Sequence, residues 1–256
     1  MAKLRALWRG ILLCIMAVVA LMDFAFWRDR SLHGRAVWMQ RWSRLTLRAM
    51  GVRVCVAGQP PRDGLLVSNH MGYLDVLVLG SIASFVFVSK IEVKSWPLAG
   101  ALTRRAGTIF LDRGSRVATA SATEQMRERL EARVPVVMFP EGTSSEGTGL
   151  LPFHSSLFEA PVALGAAIHR ACLRYAVPGD DRNLQTVRER VAYWGEMSFA
   201  THLPRLLELR RIEAFVQFSP ESGQGGNRKT AAAQAEEAVR RMLQEPAPSF
   251  RKPGEL

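Results

Sequence analysis

From residue 51 onward the chain alternates short apolar runs with longer segments of helical period, and this alternation constrains its fold more than any other feature. Runs at 53–57, 65–68, 85–89, 108–111, 135–139, 167–175 and 211–218 read as strands. The stretches 75–82, 96–105, 115–133, 155–165, 201–209 and 228–244 carry the spacing of helices. Strand and helix in alternation define an α/β domain. With 256 residues, 48% of them hydrophobic, the chain is long enough to bury one large core. It divides into N-terminal membrane-anchoring and interfacial helices over 1–50, a main domain over 51–245, and a tail over 246–256, PAPSFRKPGEL, whose composition predicts disorder. No internal repeat is found, and the 222–227 stretch, SGQGGN, reads as a loop whose glycines can bend toward a ligand.

Residues 7–27, LWRGILLCIMAVVALMDFAFW, would reach about 31 Å as a helix at roughly 1.5 Å per residue, close to the thickness of a bilayer core. Arg9 and Asp23 confine the uncharged run to 10–22, a length typical of a half-inserted or signal-peptide segment. Lys3, Arg5 and Arg9 ahead of it, and the small residues at 18–20, also fit a secretory signal. Against that, Arg28, Arg30, Arg35, Arg41, Arg44 and Arg48 follow closely, the charge excess that stays on the cytoplasmic side. The main domain is therefore expected on the cytoplasmic face of the inner membrane. Within 36–50, Trp38, Trp42, Leu45 and Ala49 share one helical stripe, and Arg41, Arg44 and Arg48 a second. The pattern suits an interfacial helix with its tryptophans at headgroup depth and its arginines on lipid phosphates, or else an amphipathic helix packed on the domain.

Lys and Arg outnumber Asp and Glu by 34 to 23, a formal charge of +11, so an anionic partner is expected. Nucleic acid is excluded by the lack of zinc-ligand spacing, a helix-turn-helix pattern or an RNA-binding aromatic signature. An anionic membrane and phosphorylated substrates remain. Cys14, Cys55 and Cys172 are odd in number and widely spaced, which argues against disulfides and a thiolate metal site. His154, His169 and His202 also lack partners at metal-ligand spacing, so no metal or cofactor is expected.

The chemistry sits in LLVSNHMGYLD, an apolar run that ends at Asn69-His70 and reaches Asp75 after four intervening residues. A strand-to-helix turn can fold this spacing back so that Asp75 accepts a hydrogen bond from one ring nitrogen of His70. The other nitrogen is then a base aimed outward, able to take a proton from an alcohol. Alone the spacing is unspecific, arising by chance in roughly one such sequence in seven. A second element, residues 135–149, runs from a strand into Glu141, Gly142 and Thr143. Gly142 permits close backbone approach to a ligand, Thr143 can donate to phosphate oxygens, and Glu141 suits a hydroxyl or ammonium. A third, residues 107–113, is a short strand ending in Asp112 and Arg113, where Arg113 can hold a phosphate bidentately or pair with Asp112.

Taken together, these residues resemble the glycerolipid acyltransferase family, best known from the 1-acylglycerol-3-phosphate acyltransferases. His70 and Asp75 fall on its His-four-residues-Asp motif, with Asn69 the usual preceding residue; 107–113 looks like its second motif and 139–143 like its third. The resemblance runs from about Arg53 to Phe218. It implies a mixed, largely parallel sheet flanked by helices, a thioester acyl donor, direct attack by an acceptor hydroxyl, and no acyl-enzyme. The implied site is His70 and Asp75 for catalysis, with Asn69, Arg113, Glu141, Gly142 and Thr143 around the substrate. Two departures bear on the acceptor. Ser144 stands where the third motif usually carries Arg, and AIHRACL at 167–173 stands where the fourth usually holds two prolines. Arg170 either replaces the lost charge or is a solvated strand residue.

The expected reaction is acyl transfer from acyl-CoA or acyl carrier protein to the free hydroxyl of a lysolipid, with 1-acyl-sn-glycerol-3-phosphate, giving phosphatidic acid, the first acceptor. A phosphate-free acceptor such as lyso-ornithine lipid is the second, favoured by Ser144. A catalytically silent membrane-binding homologue is the rival outside the enzyme class. A hydrolase is the third reading, against which stands the lack of a Gly-x-Ser-x-Gly elbow in the sequence.

Overall fold

The computed structural model describes residues 1–112, 116–223 and 226–245. Arg113, part of the 222–227 loop and the tail at 246–256 therefore lie outside the described residues. In chain order the elements are α1 (Ala2–Phe26), α2 (Leu32–Met50), β1 (Val52–Ala57), β2 (Leu65–Ser68), α3 (Tyr73–Ile82), β3 (Val86–Lys90), α4 (Ala99–Arg105), β4 (Ile109–Leu111) and α5 (Arg116–Glu131). They continue with β5 (Val136–Met138), α6 (Glu159–Ala163), β6 (Ile168–Ala176), α7 (Asn183–Thr186), α8 (Phe199–Leu207), β7 (Ile212–Phe218) and α9 (Arg228–Gln244). Each strand lies within a residue or two of the run that predicts it. The helix expected over 155–165 splits into a 3-10 turn, Ser155–Phe158, and α6. Pro161 has no N–H to continue an i to i−4 ladder there. The polar stretch before Tyr193, which carries no apolar period, holds α7 and the π-helical turn Val187–Val191.

The strands form one sheet in the order β1-β7-β6-β2-β5-β3-β4. All neighbouring pairs are parallel except β6 with β7. Successive strand side chains point to opposite faces, so each face has its own core. Leu66, Phe87, Val137 and Leu173 pack under α2, α3 and α8. Leu65, Val67, Val136 and Met138 pack under α5, α6 and α9. The parallel block places the C-terminal ends of β2, β5, β3 and β4 along one edge, where open α/β sheets bind ligands.

The N-terminal helices dock on the first of these faces. α1 runs unbroken through both charges that interrupt its apolar sequence, because each has a partner. Arg9 donates to the carbonyls of Leu209 at 2.6 Å and Leu207 at 3.2 Å, and Arg5 to that of Glu208 at 3.2 Å. These carbonyls close α8, where cations complement the helix dipole. At the other end Asp23 accepts from the indole N–H groups of Trp38 at 3.1 Å and Trp42 at 2.9 Å, with Arg41 at 3.5 Å. Trp38 is buried, and Arg44 donates to the Ser81 carbonyl at 2.7 Å, closing the end of α3. Of the two stripes, Trp38, Trp42, Arg41 and Arg44 thus have partners within the protein, and the three arginines, Arg48 included, remain exposed. α1 is long and apolar enough to cross a membrane, and Leu7, Trp8, Ile11, Ile15, Val18 and Met22 face outward from it.

Asp23 is therefore the clasp of the α1–α2 hairpin. Asp23→Ala leaves two indole N–H groups without their acceptor and is expected to cost about 1–3 kcal/mol. Urea unfolding of the detergent-solubilised protein measures this, with faster proteolysis between α1 and α2 as a second readout.

Candidate active site

β2 ends in four buried residues and a turn whose every member has a defined partner. Asn69 comes first. Its side-chain amide donates to the Leu173 carbonyl at 3.0 Å, and its Oδ1 accepts from the Leu173 N–H at 2.7 Å. This pair continues the β2–β6 ladder beyond the last residue of β2. Asn69, expected at the substrate, is instead buried and spent on main-chain pairing.

His70 follows, with its side chain about one-fifth exposed. Its Nδ1 lies 2.7 Å from Asp75 Oδ2. The same oxygen accepts from the N–H groups of Met71 at 2.6 Å and Gly72 at 2.9 Å, while Oδ1 accepts from the Tyr175 hydroxyl at 2.6 Å. Asp75 opens α3, so its carboxylate also lies at the positive end of the helix dipole. Opposite an ionised carboxylate, which only accepts, Nδ1 is placed to donate, and Nε2 takes no part in the contact. Gly72 makes the turn possible. Its φ is +151°, and a Cβ there would stand 2.9 Å from the Cβ of Tyr193.

The turn after β5 closes over His70. The Phe139 ring stacks on the imidazole with centroids 4.0 Å apart and planes at 14°. Gly142, at φ +71°, returns its N–H to the Phe139 carbonyl at 3.1 Å. The Glu141 carboxylate accepts from the His70 N–H at 2.6 Å and from the Leu151 N–H at 3.0 Å. Ser145 donates its N–H to the His70 carbonyl at 2.8 Å and its hydroxyl to the same oxygen at 3.2 Å. The His70 peptide is thus held on both sides by one loop. Glu141 is 2% exposed with both oxygens engaged, so the hydroxyl or ammonium contact expected of it gives way to fixing the His70 main chain. Burial pushes its carboxyl up from 4.5 to about 7, against the two main-chain donors and with help from the nearby charges of Asp75 and Glu236.

The structure therefore brings His70, Asp75, Glu141 and Gly142 together, with Thr143 exposed on the turn. Ser144 turns inward, its hydroxyl donating to the Tyr193 carbonyl, and the Tyr193 N–H binds the Met71 carbonyl at 2.7 Å. Arg170 is neither solvated nor beside the turn. It is buried, shares a sheet face with Ile168 and Cys172, and reaches the Glu221 carbonyl at 3.5 Å. Tyr175 and Tyr193 are the site neighbours that sequence spacing missed, because no local pattern marks residues brought to the turn only by the folded sheet; Phe139 and Ser145 lie in the 135–149 element, which gave them no role of their own.

The site is thus an imidazole held by a buried carboxylate at the C-terminal edge of a largely parallel sheet. Residues 53–174 match the acyltransferase family. A lyso-ornithine lipid O-acyltransferase of Pseudomonas aeruginosa is 34% identical over 95% of this chain and 95% of its own. One from Rhizobium meliloti is 31% identical over 91% of this chain and 84% of its own. A 1-acyl-sn-glycerol-3-phosphate acyltransferase of Neisseria gonorrhoeae is 29% identical over 75% of this chain and 73% of its own. The crystal structure of the 1-acyl-sn-glycerophosphate acyltransferase of Thermotoga maritima has the same fold, with a TM-score of 0.70 over 98% of this chain and 100% of that one at 20% identity. The chain belongs to the acyltransferase family.

The raised Glu141 value has a thermodynamic consequence. The folded protein holds this proton more tightly than the unfolded chain, so the contribution is fully present below pH 4.5 and is lost as pH rises through about 7. The difference is on the order of 3 kcal/mol. Urea midpoints of the wild type should fall across that window, and Glu141→Gln, which cannot titrate, should flatten that fall.

Proposed function

We propose that the protein transfers a fatty acyl group from acyl-CoA or acyl carrier protein to the free hydroxyl of a lysolipid, with His70 as general base and Asp75 as its orienting partner. The observation that carries this is the 2.7 Å contact between His70 Nδ1 and an Asp75 carboxylate already saturated by other donors. It leaves Nε2 as the one ring atom able to receive a proton. The acceptor oxygen attacks the thioester carbonyl as Nε2 removes its hydrogen. The tetrahedral intermediate then expels the thiolate, which takes the proton back from His70 and leaves as free thiol. The Thr143 and Ser144 amides are assigned to the developing oxyanion, and the Thr143 hydroxyl and Arg113 to the acceptor headgroup. No step uses a metal, a cofactor or a covalent enzyme intermediate.

For the acceptor, lyso-ornithine lipid is placed first and 1-acyl-sn-glycerol-3-phosphate second. Two observations support reversing the order that sequence suggests. Ser144 replaces the usual Arg and spends its hydroxyl on Tyr193, so that position offers no cation to a phosphate. The match to the Pseudomonas lyso-ornithine lipid enzyme also spans nearly the whole chain, including the N-terminal helices. The outward apolar face of α1 and the exposed Arg41 and Arg48 support a position on the cytoplasmic face of the inner membrane, with the lysolipid arriving from the bilayer.

An acyl-transfer assay of the purified full-length protein against both acceptors, with both donor types, tests the reading. His70→Ala should abolish transfer without loss of folding, and Asp75→Asn should lower turnover by about 10²–10⁴. Wild-type turnover by His70→Ala overturns the mechanism. Arg113→Ala should raise KM for 1-acyl-sn-glycerol-3-phosphate by about 10–150-fold, the effect of losing a charged hydrogen bond, while changing KM for lyso-ornithine lipid far less. Preference for the phosphate acceptor in the wild type would restore the first order.

A further inference from the structure

Tyr175 belongs to β6 and stands one hundred residues after Asp75 in the chain. It is buried on the sheet face of Ala171 and Leu173, the face that α3 covers. Its hydroxyl donates to Asp75 Oδ1 at 2.6 Å, while the His70 ring and the Met71 and Gly72 amides all converge on Oδ2. Asp75 is completely buried, so water does not take over a missing donor. The strand that supplies Tyr175 is the one whose sequence departs from the family's fourth motif.

We propose that Tyr175 is a positioning residue of the His70–Asp75 pair: its hydroxyl holds the unprotonated pair at net charge −1 and so sets the pH below which His70 stops acting as a base. The inference rests on the general-base reading above. Proton uptake at Nε2 leaves Asp75 ionised and still accepting from Tyr175, but a donor to Asp75 draws off carboxylate charge that would otherwise stabilise the imidazolium, so it favours the unprotonated pair. Deleting the donor therefore raises the midpoint of the pair. Tyr175 stays protonated throughout, since burial and the Asp75 charge push its phenol well above the ordinary value. The titratable groups around Asp75 are His70 from the turn after β2, Glu141 from the turn after β5 and Tyr175 from β6, with Glu236 of α9 acting on Glu141.

The test is the NMR titration of the His70 imidazole in the full chain in detergent micelles, a readout that needs no turnover. Tyr175→Phe should move the midpoint up measurably, but by less than the roughly one pH unit that complete loss of a hydrogen bond to a charged group in one protonation state alone would give. Replacing Tyr175 by 3-fluorotyrosine, a stronger donor of nearly the same shape, should move it down. Glu141 titrates nearby, so both measurements are repeated with Glu141→Gln; a shift that vanishes there belongs to Glu141 and overturns the proposal. So does an unchanged midpoint in both variants. If the phenylalanine variant does not fold, the fluorotyrosine variant decides alone. In the acyl-transfer assay the acid limb of kcat/KM should follow the same shift, with activity recovered at higher pH. A purely packing role would lower the rate equally at every pH. If the wild type transfers no acyl group to any acceptor, the acyl-transfer reading fails, and the NMR midpoints still judge Tyr175.

Discussion

A fully buried carboxylate is the most expensive group this fold contains, and Asp75 is tolerated because four donors surround it. Breaking a buried charged pair costs about 3–5 kcal/mol, so the site and the fold are one problem. The donors come from three places. The Met71 and Gly72 amides require the chain to turn sharply after β2. The imidazole requires His70 at the start of that turn. The Tyr175 hydroxyl requires β6 to run beside β2 in a register that pairs Ser68 with Ala171. Shifting β6 by one residue would send Tyr175 to the opposite face and leave the carboxylate short of a donor.

The same constraint explains the rest of the turn. A base that must accept and return a proton cannot have a wandering main chain, and the His70 peptide has its N–H on Glu141 and its carbonyl on Ser145. Both partners lie in the loop after β5, which adjoins β2 in the sheet. Asn69 performs the matching task toward β6. The strands on either side of β2 thus fix the two residues that follow it, the loop after β5 holding the His70 main chain and β6 holding Asn69, where no ladder can.

Most of the architecture was legible in sequence, because strand and helix periodicities are local. All seven strands appear where apolar runs predict them, and the break at Pro161 is the kind of detail that a periodicity misses. The His70 and Asp75 pair was legible for the same reason: both partners lie within one turn, and the neighbouring motifs give weight to a spacing that is unspecific by itself. Glu141 was found by its motif, but its local spacing could not show that the Leu151 and His70 amides enclose its carboxylate. Tyr175 was invisible. Its partner is one hundred residues away, and only the pairing of β6 with β2 brings them together.

Charge was the least faithful guide, and the reason is physical. The excess of basic residues suggests anionic partners, yet many of the guanidiniums that looked available are spent inside the protein. Arg5 and Arg9 close α8, Arg44 closes α3, and Arg170 reaches a loop carbonyl from within the sheet. An arginine that satisfies a helix's last carbonyls contributes to net charge but offers little to a lipid phosphate, because its donors are already committed. The same holds for the tryptophans, since the Trp38 and Trp42 indoles serve Asp23. What the N-terminal region leaves unspent is apolar: the outward row from Leu7 to Met22 on a helix fastened at both ends to the domain. The features of this region that suit a bilayer are therefore that row first and then the exposed Arg48, since Arg41 is paired with Asp23.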